Sequence, residues 1–296
     1  MAEIKNPSKL YDRQLQCEFT LISGVFKQGF NTKSVKNNTV NAIVQKSMTT
    51  NFTNSANITV YGMNKSDIGA LTTLGYAPLK FQANKVKLYA QYSIDKPKLC
   101  FSGFIVRSWA DFSDPSRPTH FECHETYQDS LDSVDAINVN GSSSVPDIFN
   151  NIAGKLGLSL QNNGVTGIIN NLILTGSNID QLKQLSKQCD VNCVVDNGKL
   201  KIAPNTSSLS NEIASINRDS GLLSYPTIDA YGVKFRIRYN PVVQLGQYIK
   251  LDTSIPLPKQ AKSGKWFVYD MQSSLNNRHE NWYTDLKCSY NNLDFA

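Results

Sequence analysis

GLLSYPTIDAYGVKFRIRYNP, residues 221–241, is the stretch that decides the fold class of this chain. Across residues 233–239, four apolar side chains alternate with three basic ones, which is the period of a strand with one buried and one charged face. Pro241 ends this strand because proline has no N–H for the hydrogen-bond ladder. Gly246 then opens a turn before a second strand over residues 248–251. We predict that these two strands form an antiparallel hairpin.

The rest of the C-terminal third continues the strand pattern. Aromatic and apolar runs at residues 266–271 and 282–288 follow at the short, regular spacing of an all-β sandwich or barrel. Residues 204–220 are rich in Ser and Asn, and we expect them to form a polar linker. We therefore predict a small antiparallel β-barrel made from residues 204–296, to which residues 126–142 contribute.

The N-terminal part of the chain has the same alternation after a polar arm over residues 1–13. Strands are predicted at residues 15–21, 37–45, 56–61, 86–92, 100–106 and 119–124. One short helix interrupts them, starting at the capping-box pattern Asn64-Lys-Ser-Asp67 and ending near Gly75. Residues 1–125 are accordingly predicted to form a first β-barrel.

The middle of the chain has a different pattern. Ser144 and Ser177 each begin a capping-box pattern followed by apolar residues at helical spacing, and Asn197-Gly198 is a strong signal for a two-residue hairpin turn. Residues 143–203 are thus predicted to be an α/β insert. The predicted fold class is mainly β with this small insert (α+β), and it includes two small antiparallel β-barrels per chain.

The composition excludes several classes of function. The chain has 296 residues and a formal net charge of +6, with the basic residues scattered, so no specific nucleic-acid binding is expected. No run approaches the ~18 apolar residues of a membrane span, and the first residues have no apolar signal core. We expect no membrane association, and we expect the protein to be made and kept in the cytoplasm unless something larger carries it out. The six dispersed cysteines are predicted to be free thiols: Cys17, Cys100, Cys123, Cys189, Cys193 and Cys288.

One strand pattern raises the question of a metal site. His120, Glu122 and His124 fall on one face of a predicted strand, where two imidazoles could reach a metal ion. A metal site needs three or four ligands, and the third histidine of the chain, His279, lies in a predicted loop. We interpret the pattern as an ordinary outer strand face and predict no metal and no cofactor.

Three carboxylates close together in the sequence raise the question of glycoside hydrolysis. Glu122, Glu125 and Asp129 cluster in sequence, but a hydrolase needs an apolar pocket for its acid and a second carboxylate across a cleft. Nucleophile-elbow, phosphate-loop and zinc-protease motifs do not occur in the sequence. We predict that the protein is not an enzyme.

Two basic strand faces are the candidate contact sites. They are formed by Lys234, Arg236 and Arg238 in the C-terminal region and by Lys85 and Lys87 in the N-terminal region. Phosphate binding is one hypothesis, with Tyr231 and Tyr239 nearby, but nucleic-acid sites gather more basic residues and place stacking aromatics on the same face. We favour a solvated or subunit-facing role and take these five residues as candidate subunit-interface residues.

The order of the elements resembles the baseplate hub proteins of contractile-tailed phages, and it is similar to the N-terminal region of type VI secretion spike proteins. The segments that carry the resemblance are ITVYGM at 58–63, FSGFIV at 101–106, LILTG at 172–176, VVDNGKLKIAP at 194–204, LLSYPT at 222–227, NP at 240–241, GQYI at 246–249, KWFVYD at 265–270 and WYT at 282–284. Together they span most of the chain.

The resemblance implies a structural virion protein, a trimeric baseplate hub that ends the tail tube and seats the central spike. Its expected partners are two further copies of itself, the tail tube protein, the central spike protein and other baseplate proteins. The sequence stops soon after the last predicted strand, so we expect the spike and any lytic enzyme to be separate proteins. A threefold hub beneath a sixfold tube further implies that the two barrels superpose, related by about a sixty-degree turn.

An alternative function stays open at this stage. A carbohydrate- or peptidoglycan-binding β-module on the tail tip would have the same fold class. Such modules expose a row of aromatic side chains on one sheet face, whereas Trp266, Phe267, Tyr269 and Trp282 are distributed over both faces of their strands. This distribution favours core and interface positions, and with them the hub.

Overall fold

A computed structural model describes most of the chain. The described residues are 12–48, 54–73, 83–92, 95–127, 129, 133–205, 207–210, 212–228, 230–251 and 264–290. Residues 1–11 of the predicted N-terminal arm, Gly75 and the last six residues lie outside them, whereas Arg13 of that arm begins the first strand. Strands account for 50% and helices for 13% of the structure, which confirms the mainly β class.

The N-terminal β region follows the predicted alternation. Its elements are β1 (Arg13–Thr20), β2 (Thr32–Val35), β3 (Val40–Ser47), β4 (Ser55–Val60), α1 (Lys65–Leu71), β5 (Lys85–Tyr92), β6 (Lys98–Ala110) and β7 (Thr119–His124). Every second residue of β1, β4 and β7 is buried, as expected for strands with one face on a core. The edge strand β2 was not predicted, because only Val35 among its four residues is buried.

The middle region comprises residues 137–204. Its elements are β8 (Ile137–Ser144), α2 (Val145–Lys155), β9 (Ser159–Asn162), β10 (Ile168–Leu174), α3 (Asn178–Cys189), β11 (Val191–Asp196) and β12 (Lys199–Pro204). β11 and β12 form the hairpin predicted from Asn197-Gly198, and β9 pairs with β12 in parallel. The helices and these strands enclose a core of their own.

Helix capping was predicted at three sites, and the structure forms the complete capping box at one of them. Ser177 accepts a hydrogen bond from the amide of Asp180, and the Asp180 carboxylate accepts from the amide of Ser177. Asn64 and Ser144 precede α1 and α2 as predicted, without the side-chain cap bond. The local pattern therefore located all three helix starts.

The C-terminal β region begins inside the predicted linker. Its strands are β13 (Ala214–Ile216), β14 (Thr227–Ile228), β15 (Val233–Arg238), β16 (Tyr248–Leu251), β17 (Lys265–Asn276) and β18 (Trp282–Ser289). The linker prediction is corrected here, because Leu209, Ala214 and Ile216 are buried in the core of this region. Leu209 packs so closely on Gly246 that an added Cβ at Gly246 would collide with its side chain.

The hairpin predicted at residues 233–251 is also wrong. β15 pairs with β14 on one edge and β18 on the other, so it has no edge left for β16. β16 instead pairs antiparallel with β17 and parallel with β13. The turn at Gly246 has a positive φ of 73° and carries the chain away from β15.

The two β regions share one hydrogen-bonded sheet of 13 strands. β17 and β18 are long enough to serve two cores: Trp266 and Leu286 pack in the C-terminal core, whereas Leu275 and Trp282 pack in the N-terminal core. β17 pairs with β3, and this pairing joins the regions. Two closed barrels are therefore not confirmed, because among the described strands the sheet forms an open path around two separate cores.

The placement of residues 137–142 differs from the prediction. These residues belong to β8, which pairs antiparallel with β10 of the middle region. The sequence alone does not reveal this pairing, because the pattern of one strand does not identify its partner. The rest of the predicted division into domains stays a prediction.

Candidate functional site

One of the three residues on the predicted basic face of β15, Arg236, is neutralised by the neighbouring strand β18. Arg236 lies opposite Asp285 and forms a bidentate pair with it, with Nε–Oδ1 and Nη2–Oδ2 distances of 2.8 and 3.0 Å. Its guanidinium also lies 3.8 Å from the ring centroid of Tyr283. Lys234 is exposed, and Arg238 is half-buried. The three residues share a strand face as predicted, but they do not form an unpaired basic row.

The second basic pair, Lys85 and Lys87, lies at the start of β5. Lys87 is 3.5 Å from the carboxylate of Glu18, and the Lys85 ammonium lies 5.1 Å from the ring centroid of Phe104. At the end of β5, far from these two lysines, the Tyr92 hydroxyl donates to the carbonyl oxygen of Tyr239, which directly follows β15. The structure does not bring the two basic faces together, and their subunit-interface role stays a prediction.

On β7, the side chains of His120 and Glu122 contact residues of the neighbouring strands. His120 stacks on Trp109 with centroids 5.1 Å apart, and its Nδ1 hydrogen-bonds the Thr59 hydroxyl. Glu122 pairs with Arg107 at 2.7 Å. Within the described ranges, no three His, Cys, Asp or Glu side chains gather as metal ligands.

The six cysteines are free thiols in the structure, and five of them are buried. Burial raises the pKa of the Cys17 and Cys193 thiols to about 12. These thiols are protonated at neutral pH and act as small apolar core residues.

The most unusual polar feature is a buried charge cluster, formed by Lys46, Glu125, Asp196 and Lys201. The Asp196 carboxylate accepts from Lys46 at 2.5 Å through one oxygen and from Lys201 at 2.7 Å through the other. Lys201 also donates to the side chain of Gln244 at 2.9 Å. All four charged residues are at most 7% exposed. The cluster joins β3 of the N-terminal region to β11 and β12 of the middle region.

Glu125 extends the cluster through an amide and a backbone N–H. One carboxylate oxygen accepts from the Asn54 side chain at 2.7 Å, and the other from the Asn197 backbone at 2.5 Å. Asn54 also donates to the carbonyl oxygen of Val195. The middle region is thus attached to the N-terminal region through specific polar contacts.

Burial disfavours the charged form of each group, and the neighbouring charges and hydrogen bonds decide in which direction its pKa moves. Burial acts to raise the pKa of Asp196, but Lys46 and Lys201 outweigh it and hold that pKa well below its usual range. Burial acts to lower the pKa of Lys46, and the carboxylates of Asp196 and Glu125 raise it overall. Burial and, second, the negative charge of Asp196 raise the pKa of Glu125 to about 8. The charge of Lys46 and the hydrogen bonds from Asn54 and the Asn197 backbone act to lower it but do not outweigh burial.

A cavity of about 530 Å³ opens beside this cluster, where the three regions meet. The polar part of its lining includes Lys46, Asp196, Lys201 and Gln244. The apolar wall of the cavity includes Val44, Leu99, Tyr239, Val243, Leu245 and Met271.

The sequence did not identify this cluster. Asp196 and Lys201 were recognised only as part of a hairpin, and Glu125 was considered as a hydrolytic acid. The signal that existed was weak: Lys46 ends an apolar strand pattern, and Asp196 alternates with Val195 in a strand that is buried on both faces.

The helices of the described residues are short. The longest, α3, has 12 residues, and none combines the length and apolarity needed to cross a membrane.

Comparison with known proteins identifies the family. A family model described as baseplate hub gp41 matches residues 21–288. A sequence search of curated proteins found no match.

Solved structures with the same fold cover nearly the whole chain. A tail protein from Neisseria meningitidis MC58 has 10% identity and a TM-score of 0.62, over 94% of this chain and 96% of its own. The 43 kDa tail protein of prophage MuSo2 from Shewanella oneidensis has 9% identity and a TM-score of 0.59, over 93% and 98%. The E. coli c3393 protein, a type VI secretion component described as similar to the T4 tail proteins gp27 and gp5, has 9% identity and a TM-score of 0.58, over 85% and 73%.

Proposed function

The chain belongs to the baseplate hub gp41 family, and from this membership we propose that it is a trimeric hub that ends the phage tail tube and seats the central spike. The family makes it a phage tail component. The match over residues 21–288 carries the proposal, because it includes both β regions and the middle region between them.

The arrangement of cores supports a threefold hub. Each chain has two β regions with separate hydrophobic cores, held at a fixed register by the pairing of β17 with β3. Three such chains around one axis would offer six β regions to a sixfold tube. The tail tube protein, the central spike protein and other baseplate proteins are the proposed neighbours, with the two β regions related by about a sixty-degree turn.

The basic residues have different proposed roles. Arg236 is engaged by Asp285 of its own chain, so we assign it to holding β15 against β18. Lys234, Arg238, Lys85 and Lys87 are the proposed contacts with neighbouring subunits, where charges set register and encounter rate more than stability.

We propose a structural rather than a catalytic role. Glu122 is paired with Arg107, and Glu125 faces the interior with both carboxylate oxygens accepting hydrogen bonds. Asp129 is half-buried in the chain segment after β7. This arrangement does not present two carboxylates across a cleft, which glycoside hydrolysis needs.

The structure weakens the alternative of a sugar-binding module. Trp266, Phe267 and Trp282 are each at most 2% exposed, so their rings belong to the cores. A carbohydrate-binding face needs exposed rings in a row. The hub is the function that these positions favour.

The test is the copy number and position of the chain in purified tails. We expect three copies at the distal end of the tube, seen by electron microscopy with an antibody or tag on this chain. Any other copy number, or a location along the tube or on the tail fibres, contradicts the proposal.

A charge-reversal experiment tests the assigned contacts. Lys234→Glu combined with Arg238→Glu should leave the melting temperature nearly unchanged and reduce trimer formation and incorporation into tails. Lys155→Glu combined with Lys187→Glu, at exposed positions of α2 and α3, is the control, with the same change in net charge in the middle region. Equal incorporation of the test and control variants would remove these residues from the interface.

A further inference from the structure

The charges in the buried cluster do not balance at neutral pH. Asp196 is the shared partner of two ammonium groups, those of Lys46 and Lys201. The next carboxylate, Glu125, has a pKa raised to about 8 by burial, so its protonated form predominates at pH 7. The cavity lining also includes two exposed residues of opposite charge, Lys199 and Glu212. Two ammonium groups therefore share one ionised carboxylate, and the cluster carries a net charge of +1 when Glu125 is protonated.

The two ammonium groups also have unused hydrogen-bond donors. Each has three N–H donors. Among the described residues, Lys46 donates to Asp196, and Lys201 donates to Asp196 and Gln244. A buried cation with unused donors is costly unless it is paired. Both lysines line the cavity, so an anion entering it would meet these donors.

The shape and lining of the cavity restrict the kind of anion. Its volume of about 530 Å³ is that of a site for a small organic molecule. The side chains of Val243, Leu245 and Met271 belong to its apolar wall. A ligand that satisfies both sides has a carboxylate at one end and an apolar body at the other.

We propose that this cavity binds an apolar carboxylate, with the carboxylate against Lys46 and Lys201 and the apolar body against Val243, Leu245 and Met271. The proposal does not depend on the hub assignment. The same chemistry has two sources: a free small molecule, or the carboxyl end of a partner polypeptide.

Calorimetric titration of the full chain with four matched probes tests the site. Hexanoate should bind saturably and raise the melting temperature, and hexylamine and hexanol at equal concentration should do neither. Acetate should bind more weakly than hexanoate because it lacks the apolar body. Absence of saturable hexanoate binding, or equal binding of hexylamine or hexanol, would refute the site, and equal binding of acetate would refute the role of the apolar wall.

Variants locate the binding in the cavity. Lys201→Met should weaken hexanoate binding at least about tenfold, since it removes a charge-assisted hydrogen bond. Lys201→Arg should retain binding. Lys250→Met, which removes the same charge from the exposed face of β16, is the matched control and should bind like the unaltered protein. Unchanged binding in Lys201→Met would overturn the location, and if that variant does not fold, the probe series on the unaltered chain still decides the proposal.

The source of the carboxylate is read from one further comparison. N-acetyl-alanyl-leucine ends in a carboxylate, like the C-terminus of a polypeptide. The same dipeptide with an amidated C-terminus lacks that negative charge and is the second probe. If the dipeptide acid binds more tightly than hexanoate and the amidated dipeptide does not bind, the site is assigned to the C-terminus of a partner polypeptide. Tighter binding of hexanoate would assign it to a free small molecule.

Discussion

The N-terminal β region is joined to its two neighbours in different ways. The C-terminal β region is attached through backbone pairing, since β17 and β3 pair from Asp270–Ser47 to Asn276–Asn41. The middle region is attached through side chains, above all those of Lys46, Asp196 and Glu125. Backbone pairing tolerates many side chains, whereas a buried charge cluster depends on each member. We call the first attachment the apolar joint and the second the charged joint. The stability of the apolar joint should depend on buried apolar volume, and that of the charged joint on charge and pH.

The largest expected effect is at the charged joint. Asp196→Asn leaves Lys46 and Lys201 buried without a carboxylate, and we expect a loss of about 4 kcal/mol in the free energy of unfolding. Urea unfolding measures it. Glu122→Gln, which breaks the exposed pair with Arg107, is the control and should cost under about 1 kcal/mol. Similar losses in the two variants would show that the buried contacts of Asp196 stabilise the protein no more than an exposed ion pair does.

The apolar joint should lose somewhat less. Leu275 is fully buried on β17 in the N-terminal core, and Leu275→Ala is expected to cost about 3 kcal/mol through lost burial and a cavity. The loss should be the same at pH 6 and pH 8, because no titrating group is removed. A strong pH dependence of this loss would contradict the distinction between the joints.

The charged joint should be sensitive to pH through Glu125. Its pKa is about 8 in the folded protein and near 4.5 in the unfolded chain, so between these values the folded state holds a proton that the unfolded state has released. Stability therefore falls as pH rises. From pH 6 to pH 8 the loss should be about 2 kcal/mol.

Glu125→Gln tests this assignment. The amide keeps an acceptor for the Asn54 side chain or the Asn197 amide but does not titrate, so the decline between pH 6 and pH 8 should flatten. Unfolding curves at several pH values measure it. An unchanged decline would assign the pH dependence to other groups.

The smallest effect is expected at the sheet surface. Arg236 and Asp285 form a well-aligned pair, but both side chains are more than 40% exposed. Arg236→Gln should cost less than about 1 kcal/mol, and added salt should reduce the difference. A loss comparable to that of Asp196→Asn would indicate that β15 depends on this pair for its placement.

Local patterns located most elements but not their partners. The period-2 pattern of β15 predicted its buried face correctly, because alternation depends only on neighbouring residues. Its predicted partner was wrong, since β18, about fifty residues later, occupies the edge that β16 was expected to take. β13 was missed because two buried residues in a polar stretch give no periodic signal.

The candidate site was the least predictable part. Lys46 and Asp196 are 150 residues apart in sequence, and Lys46 looks like the polar end of an ordinary strand. Arg236 was expected to be available for a partner, but the register of β15 with β18 sets Asp285 directly opposite it. Neither relation is visible before the strands are paired.

The sequence by itself determined the mainly β class, the α/β nature of the middle region, the three helix starts and the Asn197-Gly198 hairpin, because each depends on side chains close together in the chain. The tertiary structure decided that the β regions share one sheet, that β8 joins the middle region, and that four charged residues meet in the interior. These outcomes depend on which distant strands pair and which faces are covered. That choice is made by the burial of whole surfaces, and a local pattern does not contain it.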